Sequence, residues 1–94
     1  MPNNDTTKLA AFVNKKLAGK KLPELPSLFQ MLGDLTRLRL LDLLLTKGEQ
    51  SVGEICDKLD LPQPTASHHL GLLRMHGLVV NVRAGKQVFY AVAK

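Results

Sequence analysis

The sequence predicts a mainly α-helical fold that closes on a small β-hairpin, in the order α-α-α-α-α-β-β. Three observations predict it. Apolar residues recur at helical spacing up to about residue 76. Prolines, glycines and capping residues divide that stretch into five segments. The C-terminal end then changes to two β-branched and aromatic runs, 79–82 and 87–92, around a glycine-containing loop.

Asp5 or Thr6 can cap a first helix of about 6–18. Its apolar residues Leu9, Phe12, Val13 and Leu17 form one stripe, with Lys8, Lys15 and Lys16 on the other sides. Gly19 ends it, and Lys20 and Lys21 follow near the negative end of the helix dipole. Pro23 and Pro26 enclose a connector. A second helix begins around Pro26 and carries Leu28, Phe29, Met31 and Leu32. Gly33 breaks it, and Asp34 caps a third helix of about 35–47. There Leu38, Leu41 and Leu45 form a row with Leu40 and Leu44 beside it. So wide an apolar arc predicts burial on several sides, and hence the central helix.

Ser51-Val52-Gly53-Glu54 fits a capping box that opens a fourth helix. Val52, Ile55, Cys56 and Leu59 face inward, and the helix ends near Asp60. After the connector Leu61-Pro62-Gln63, a fifth helix runs to about His76. Pro in its first turn costs little, because an N–H there has no intrahelical partner. Its inward row is Ala66, Leu70 and Leu73, with His69 at the edge, and Gly77 supplies the left-handed stop. The hairpin pairs Val79–Val82 with Gln87–Val92 around Arg83-Ala84-Gly85-Lys86.

Ninety-four residues make one domain. Within it, 1–24 reads as an N-terminal helix and connector serving as a dimerisation arm, and 25–94 as the functional unit. No apolar run is long enough to span a bilayer; Arg39 and Asp42 interrupt the leucine-rich LRLLDLLL. The apolar run near the N-terminus is too short for a signal-peptide core, which predicts a cytoplasmic protein. Cys56 is the single cysteine, which excludes an intrachain disulfide and suits a reducing compartment.

Charge points to the partner. The net +5 divides into +4 for residues 1–21, −3 for 22–60 and +4 for 61–94. The last segment has no Asp or Glu, and it carries Arg74, Arg83, Lys86 and Lys94 beside His68, His69 and His76. A cationic helix followed by a cationic hairpin suits a rod of phosphates. The fourth and fifth helices, joined by a three-residue turn, match a helix-turn-helix, and the hairpin after them is a wing. In such a unit the second helix enters the major groove of double-stranded DNA. Gln63, Thr65, Ser67 and His68 are the expected base-reading residues, on the side opposite the buried row or at its tip. Gln can pair bidentately with adenine, and Ser or Thr with several base edges. Arg83 and Lys86 on the wing, with Arg74 and Arg37, are the expected phosphate contacts. The stripe Leu9, Phe12, Val13, Leu17 is the expected homodimer interface, since two-fold dimers mirror two-fold operators.

Plainer readings apply to other residues. Lys15, Lys16, Lys20 and Lys21 fit either a grip on flanking DNA or a solvated face. Cys56 lies on an apolar row, where a thiol packs as a small hydrophobe. Adjacent His68 and His69 point about 100° apart, and His69 and His76 lie about 10 Å apart along a helix. One ion with ligands at about 2 Å cannot bridge them, so no metal site and no cofactor are expected. Without paired carboxylates, a glycine-rich phosphate loop or a positioned nucleophile–base pair, catalysis is not expected either. The competing function is a winged helix used only for protein–protein contact.

The segments LFQMLGDLTRLRLLDLL, SVGEICDKLDLPQPTASHHLGLLRMHGLV and GKQVFYAV together resemble the ArsR-type winged-helix repressors of bacteria and archaea, over roughly residues 28–92. The resemblance implies a homodimeric transcriptional regulator, usually a repressor released by metals or oxidants. It places Gln63, Thr65, Ser67 and His68 at base-reading positions, and Arg37 where an arginine holds the fold or touches phosphate. Three departures stand out. Arsenic and lead sensors carry a cysteine pair where this chain has Ser51 and Gly53. Zinc sensors place ligands on a helix after the wing, beyond Lys94 here. Gly71 replaces a frequent Lys or Arg.

Overall fold

The computed structural model describes residues 4–94, with side chains from Lys8 onward. Five helices come first: α1 (Asn4–Ala18), α2 (Leu25–Leu32), α3 (Leu35–Lys47), α4 (Val52–Leu59) and α5 (Gln63–Met75). Three strands complete the fold: β1 (Gln50–Ser51) between α3 and α4, then β2 (Val79–Ala84) and β3 (Gln87–Val92).

The middle of the fold is α3, which touches α1, α2, α4, α5 and β3. Its buried residues are Leu40, Leu41, Leu43 and Leu44, while Leu38 and Leu45 are half-buried. Burial on several sides follows from the width of its apolar arc. The expected cap is in place: Asp34 Oδ1 accepts from the Arg37 N–H at 3.1 Å. At the start of α4 the capping box closes in both directions. Glu54 N–H donates to Ser51 Oγ at 3.1 Å, and Ser51 N–H donates to Glu54 Oε1 at 2.8 Å. Ala66, Leu70 and Leu73 of α5 are fully buried, as their spacing requires, and share one core with Ile55, Leu78, Val79 and Tyr90.

The structure adds to the expected order in three places. Gln50 and Ser51 pair antiparallel with Tyr90 and Phe89, giving a three-stranded sheet in the order β1-β3-β2. Two residues carry no periodicity, so the sequence gives no sign of β1. The register Ala84↔Gln87 extends both hairpin strands, leaving a two-residue turn, Gly85-Lys86. Gly85 has φ +64, the glycine-first pattern of a tight hairpin turn. A 3-10 turn, Leu22–Glu24, occupies the proline connector, with Lys21 N–H donating to Glu24 Oε1 at 2.8 Å.

Two details concern the first helices. In α2, Leu28 and Met31 are buried, but Phe29 is 56% exposed. Phe29 follows Leu28 by one residue, about 100° around the helix, and so points away from the core. The α1 helix packs on α3, and Phe12 (9% exposed) belongs to the common core. The expected caps Asp5 and Thr6 lie outside the described side chains.

Candidate nucleic-acid interface

The turn between α4 and α5 sets the direction of α5. Asp60 adopts the left-handed conformation (φ 54, ψ 54), and its N–H and that of Leu61 both donate to Cys56 O, the latter at 3.0 Å. Asp tolerates that region better than most non-glycine residues. Pro62 is extended and its carbonyl accepts the Ala66 N–H at 3.0 Å, starting α5.

With Ala66, Leu70 and Leu73 inward, α5 exposes Gln63, Pro64, Ser67, His68 and Arg74. Thr65 is half-buried, turned partly toward the body. Beside Gly71 the space is open: a Cβ there would meet nothing within 4 Å. Packing therefore does not demand glycine, and a longer cationic side chain could be carried there. Arg83 and Lys86 are exposed on the wing. The structure brings Gln63 and Lys86 to one open hollow of about 360 Å³, lined also by Ser51, Gly53, Cys56 and Asp57. The start of α5 and the wing tip thus flank one concave surface.

Arg37 sits differently from the other arginines. Its Nε donates to Met31 O at 2.7 Å, its Nη2 to Gln30 O at 3.3 Å, and its Nη1 to His69 Nδ1 at 3.2 Å. These internal partners favour the fold-holding half of its expected role. The pairing with His69 spans 32 positions, and the sequence carried no signal for it. His76 Nδ1 donates to Leu72 O at 3.0 Å and so caps the end of its own helix. Lys16 Nζ lies 5.3 Å from the Phe12 ring centroid, a cation–π contact, while Lys15 and Lys21 are exposed.

Capping lowers Asp34 and Glu54. The Arg37 N–H holds Asp34 below the usual carboxylate range, with the Arg37 charge assisting. The Ser51 N–H and then its hydroxyl lower Glu54. Among the described residues, no three His, Cys, Asp or Glu side chains gather closely enough to hold a metal ion. No helix among them is long and apolar enough to cross a membrane.

Comparison with known proteins agrees with this geometry. A family described as a helix-turn-helix domain matches residues 32–83. An HTH-type transcriptional regulator, MJ1325 of Methanocaldococcus jannaschii, is 40% identical over 73 residues, covering 78% of this chain and 82% of that one. The arsenical resistance operon repressor of Escherichia coli is 44% identical over 66 residues; the match covers 70% of this chain but only 56% of the repressor. Among solved structures, the homodimeric winged helix-turn-helix DNA-binding domain Mb0332 from Mycobacterium bovis, described as "a possible ArsR-family transcriptional regulator", superposes with a TM-score of 0.71. It is 33% identical, over 78% of this chain and 67% of that one.

Proposed function

The chain belongs to the ArsR-type family of winged helix-turn-helix transcriptional regulators, and on that premise we propose that it is a homodimeric repressor that binds double-stranded DNA at specific sequences. The observation that carries the reading is a single surface. The outward side of α5 offers Gln63, Ser67 and His68, and the exposed Lys86 lines the same hollow as Gln63. Acidic residues are absent from 61–94, so α5 and the wing meet a polyanion without a carboxylate of their own, and among the described residues Asp57 of α4 is the one acidic residue lining the hollow between them.

In this reading α5 lies in the major groove. The Gln63 amide pairs with an adenine edge, and Ser67 and His68 bond neighbouring bases. Thr65, half-buried, contributes at the helix tip. Lys86, Arg83 and Arg74 neutralise phosphates and release counterions, which gives affinity without sequence information. Arg37 acts from inside the fold. Two copies related by a two-fold axis set the spacing of the half-sites. Leu9, Val13 and Leu17 are half-buried on one protomer and offer the seam that a second copy covers, while Phe12 anchors α1 to its own α3. The protein works in the cytoplasm and carries out no catalytic step. The cysteine pair of arsenic sensors is replaced by Ser51 and Gly53, so this reading includes no metal cofactor.

An electrophoretic shift against fragments of the source genome tests the proposal. The expected result is a retarded band whose affinity falls steeply with salt. No salt-sensitive shift at protein concentrations up to about 10⁻⁴ M, the weak edge of nonspecific binding, would overturn it.

A further inference from the structure

Base reading depends on how α5 is rolled about its own axis, because its polar side must face the groove. Apolar packing by Ala66, Leu70 and Leu73 holds the helix down but is not directional. One polar contact is. Arg37 lies in the first turn of α3, and its Nε and Nη2 donate to Met31 O and Gln30 O at the end of α2. Met31 O is a carbonyl that the helix end leaves without an intrahelical partner, while Gln30 O also accepts the Gly33 N–H at 3.3 Å. The two bonds fix the guanidinium plane and aim Nη1 at α5, where it meets His69 Nδ1 at 3.2 Å. A guanidinium only donates. Nδ1 is therefore the acceptor, and the proton of the neutral ring is on Nε2. The half-buried His69 ring in turn stands edge-on to exposed His68, with centroids 5.3 Å apart at 62°.

We infer that Arg37 is a positioning residue for base reading: through His69 it sets the roll of α5 and the seat of the His68 ring. The inference rests on the DNA-binding reading and adds to it a residue that touches no base. Side-chain tips lie about 5–6 Å from a helix axis, so a roll of 10–20° moves them by about 1–2 Å. A functional site tolerates about 0.5 Å. Loss of the contact therefore spoils bonds to bases before it spoils a grip on phosphates, which lie along a uniform backbone.

The test uses the full chain and two duplexes, one selected on the wild-type protein from a random pool and one scrambled. His69→Leu removes the acceptor and keeps apolar bulk. Its preference for the selected duplex is expected to fall about tenfold, the worth of one good base contact, with affinity for the scrambled duplex and its salt slope unchanged. His69→Asn, which keeps an acceptor near the Nδ1 position, is expected to recover most of the preference. Arg37→Lys keeps the charge without the fork. Combined with His69→Leu, it is expected to cost no more than either change alone, because both remove one contact. Long-range proton–nitrogen spectra of the protein alone are expected to place the His69 proton on Nε2, and to show mixed tautomers in Arg37→Lys.

A folded His69→Leu that keeps its full preference overturns the inference, as does a wild-type His69 protonated on Nδ1. An Arg37→Gln that weakens both duplexes equally and lowers the salt slope also overturns it, by making Arg37 a phosphate contact. If Arg37→Lys does not fold, His69→Leu and His69→Asn decide from the other side of the contact. A wild-type chain that enriches no duplex from the random pool sinks the DNA reading and this role with it. Normal wild-type binding with an unaltered His69→Leu sinks this role alone.

Discussion

Leu70→Ala separates the two sides of α5. Leu70 is fully buried, in one row with Ala66 and Leu73, on a helix that packs against α3, α4 and β2. Truncating a buried leucine costs about 2–5 kcal/mol through lost transfer energy and the cavity left behind. With neighbours on three sides the site collapses poorly, so about 3 kcal/mol is expected here. For a chain this size, that lowers Tm by about 12–24 °C. In urea, with an m-value of about 1.5 kcal/mol/M, the midpoint falls by about 2 M. The assay is far-ultraviolet circular dichroism during urea unfolding at one fixed protomer concentration, since dimer stability depends on concentration. Ser67→Ala, on the exposed side of the same helix, is the control. It is expected to change stability by no more than about 0.5 kcal/mol and yet to weaken operator binding. If Leu70→Ala cost under about 1 kcal/mol, or Ser67→Ala cost as much as Leu70→Ala, the assignment of inward and outward sides would be refuted.

Three other outcomes follow from the same geometry. Lys86→Ala should weaken binding to every duplex and reduce the salt slope by about one, whereas Gln63→Ala should relax preference at one base position by about 1–3 kcal/mol. Identical behaviour of the two variants across a panel of operators would contradict their separate roles. Glu54 titrates below its ordinary value in the folded protein because Ser51 donates to it, so its contribution to stability is present above about pH 4.3 and is lost as pH falls through the lower folded value. Unfolding from pH 6 to pH 2.5 should show that loss, and Glu54→Gln, which cannot ionise, should remove it; an equal acid response in both proteins would deny Glu54 its part. Val13→Asp, at a half-buried position of α1, should give folded monomers in sedimentation, and an unchanged sedimentation coefficient would place the dimer seam elsewhere. Phe12 is the poorer probe, because a charge in the common core destabilises the protomer itself.

Local chemistry made most of the helices legible in the sequence. The 3.6-residue spacing of Ala66, Leu70 and Leu73 fixed which side of α5 is buried, and by elimination put Gln63, Ser67 and His68 outside. Ser51 with Glu54, and Asp34 after Gly33, announced two helix starts because a capping bond needs only three residues of context. Contacts between distant segments were not legible. The β1–β3 pairing joins two residues to partners 38 or more positions away, and the Arg37–His69 bond joins residues 32 apart; neither leaves a periodic trace. Spacing did not separate Phe29 from the other apolar residues of the second helix, but the short α2 has one buried edge, occupied by Leu28 and Met31. Thr65 looked like an outward residue of the helix tip, yet its place in the first turn beside α4 leaves it half-covered.

The short pairing of Ser51 and Phe89 joins the first residue before α4 to the middle of β3. Everything between them, including the turn at Asp60, the whole of α5 and strand β2, becomes a closed ring fastened at its base. Fraying of the hairpin must loosen the entry of α4, and melting of α4 must release the hairpin. In native-state hydrogen exchange the amides of β3 and those opening α4 should therefore be surrendered together, as one cooperative unit. Whatever grips the tip of the ring tightens its clasp.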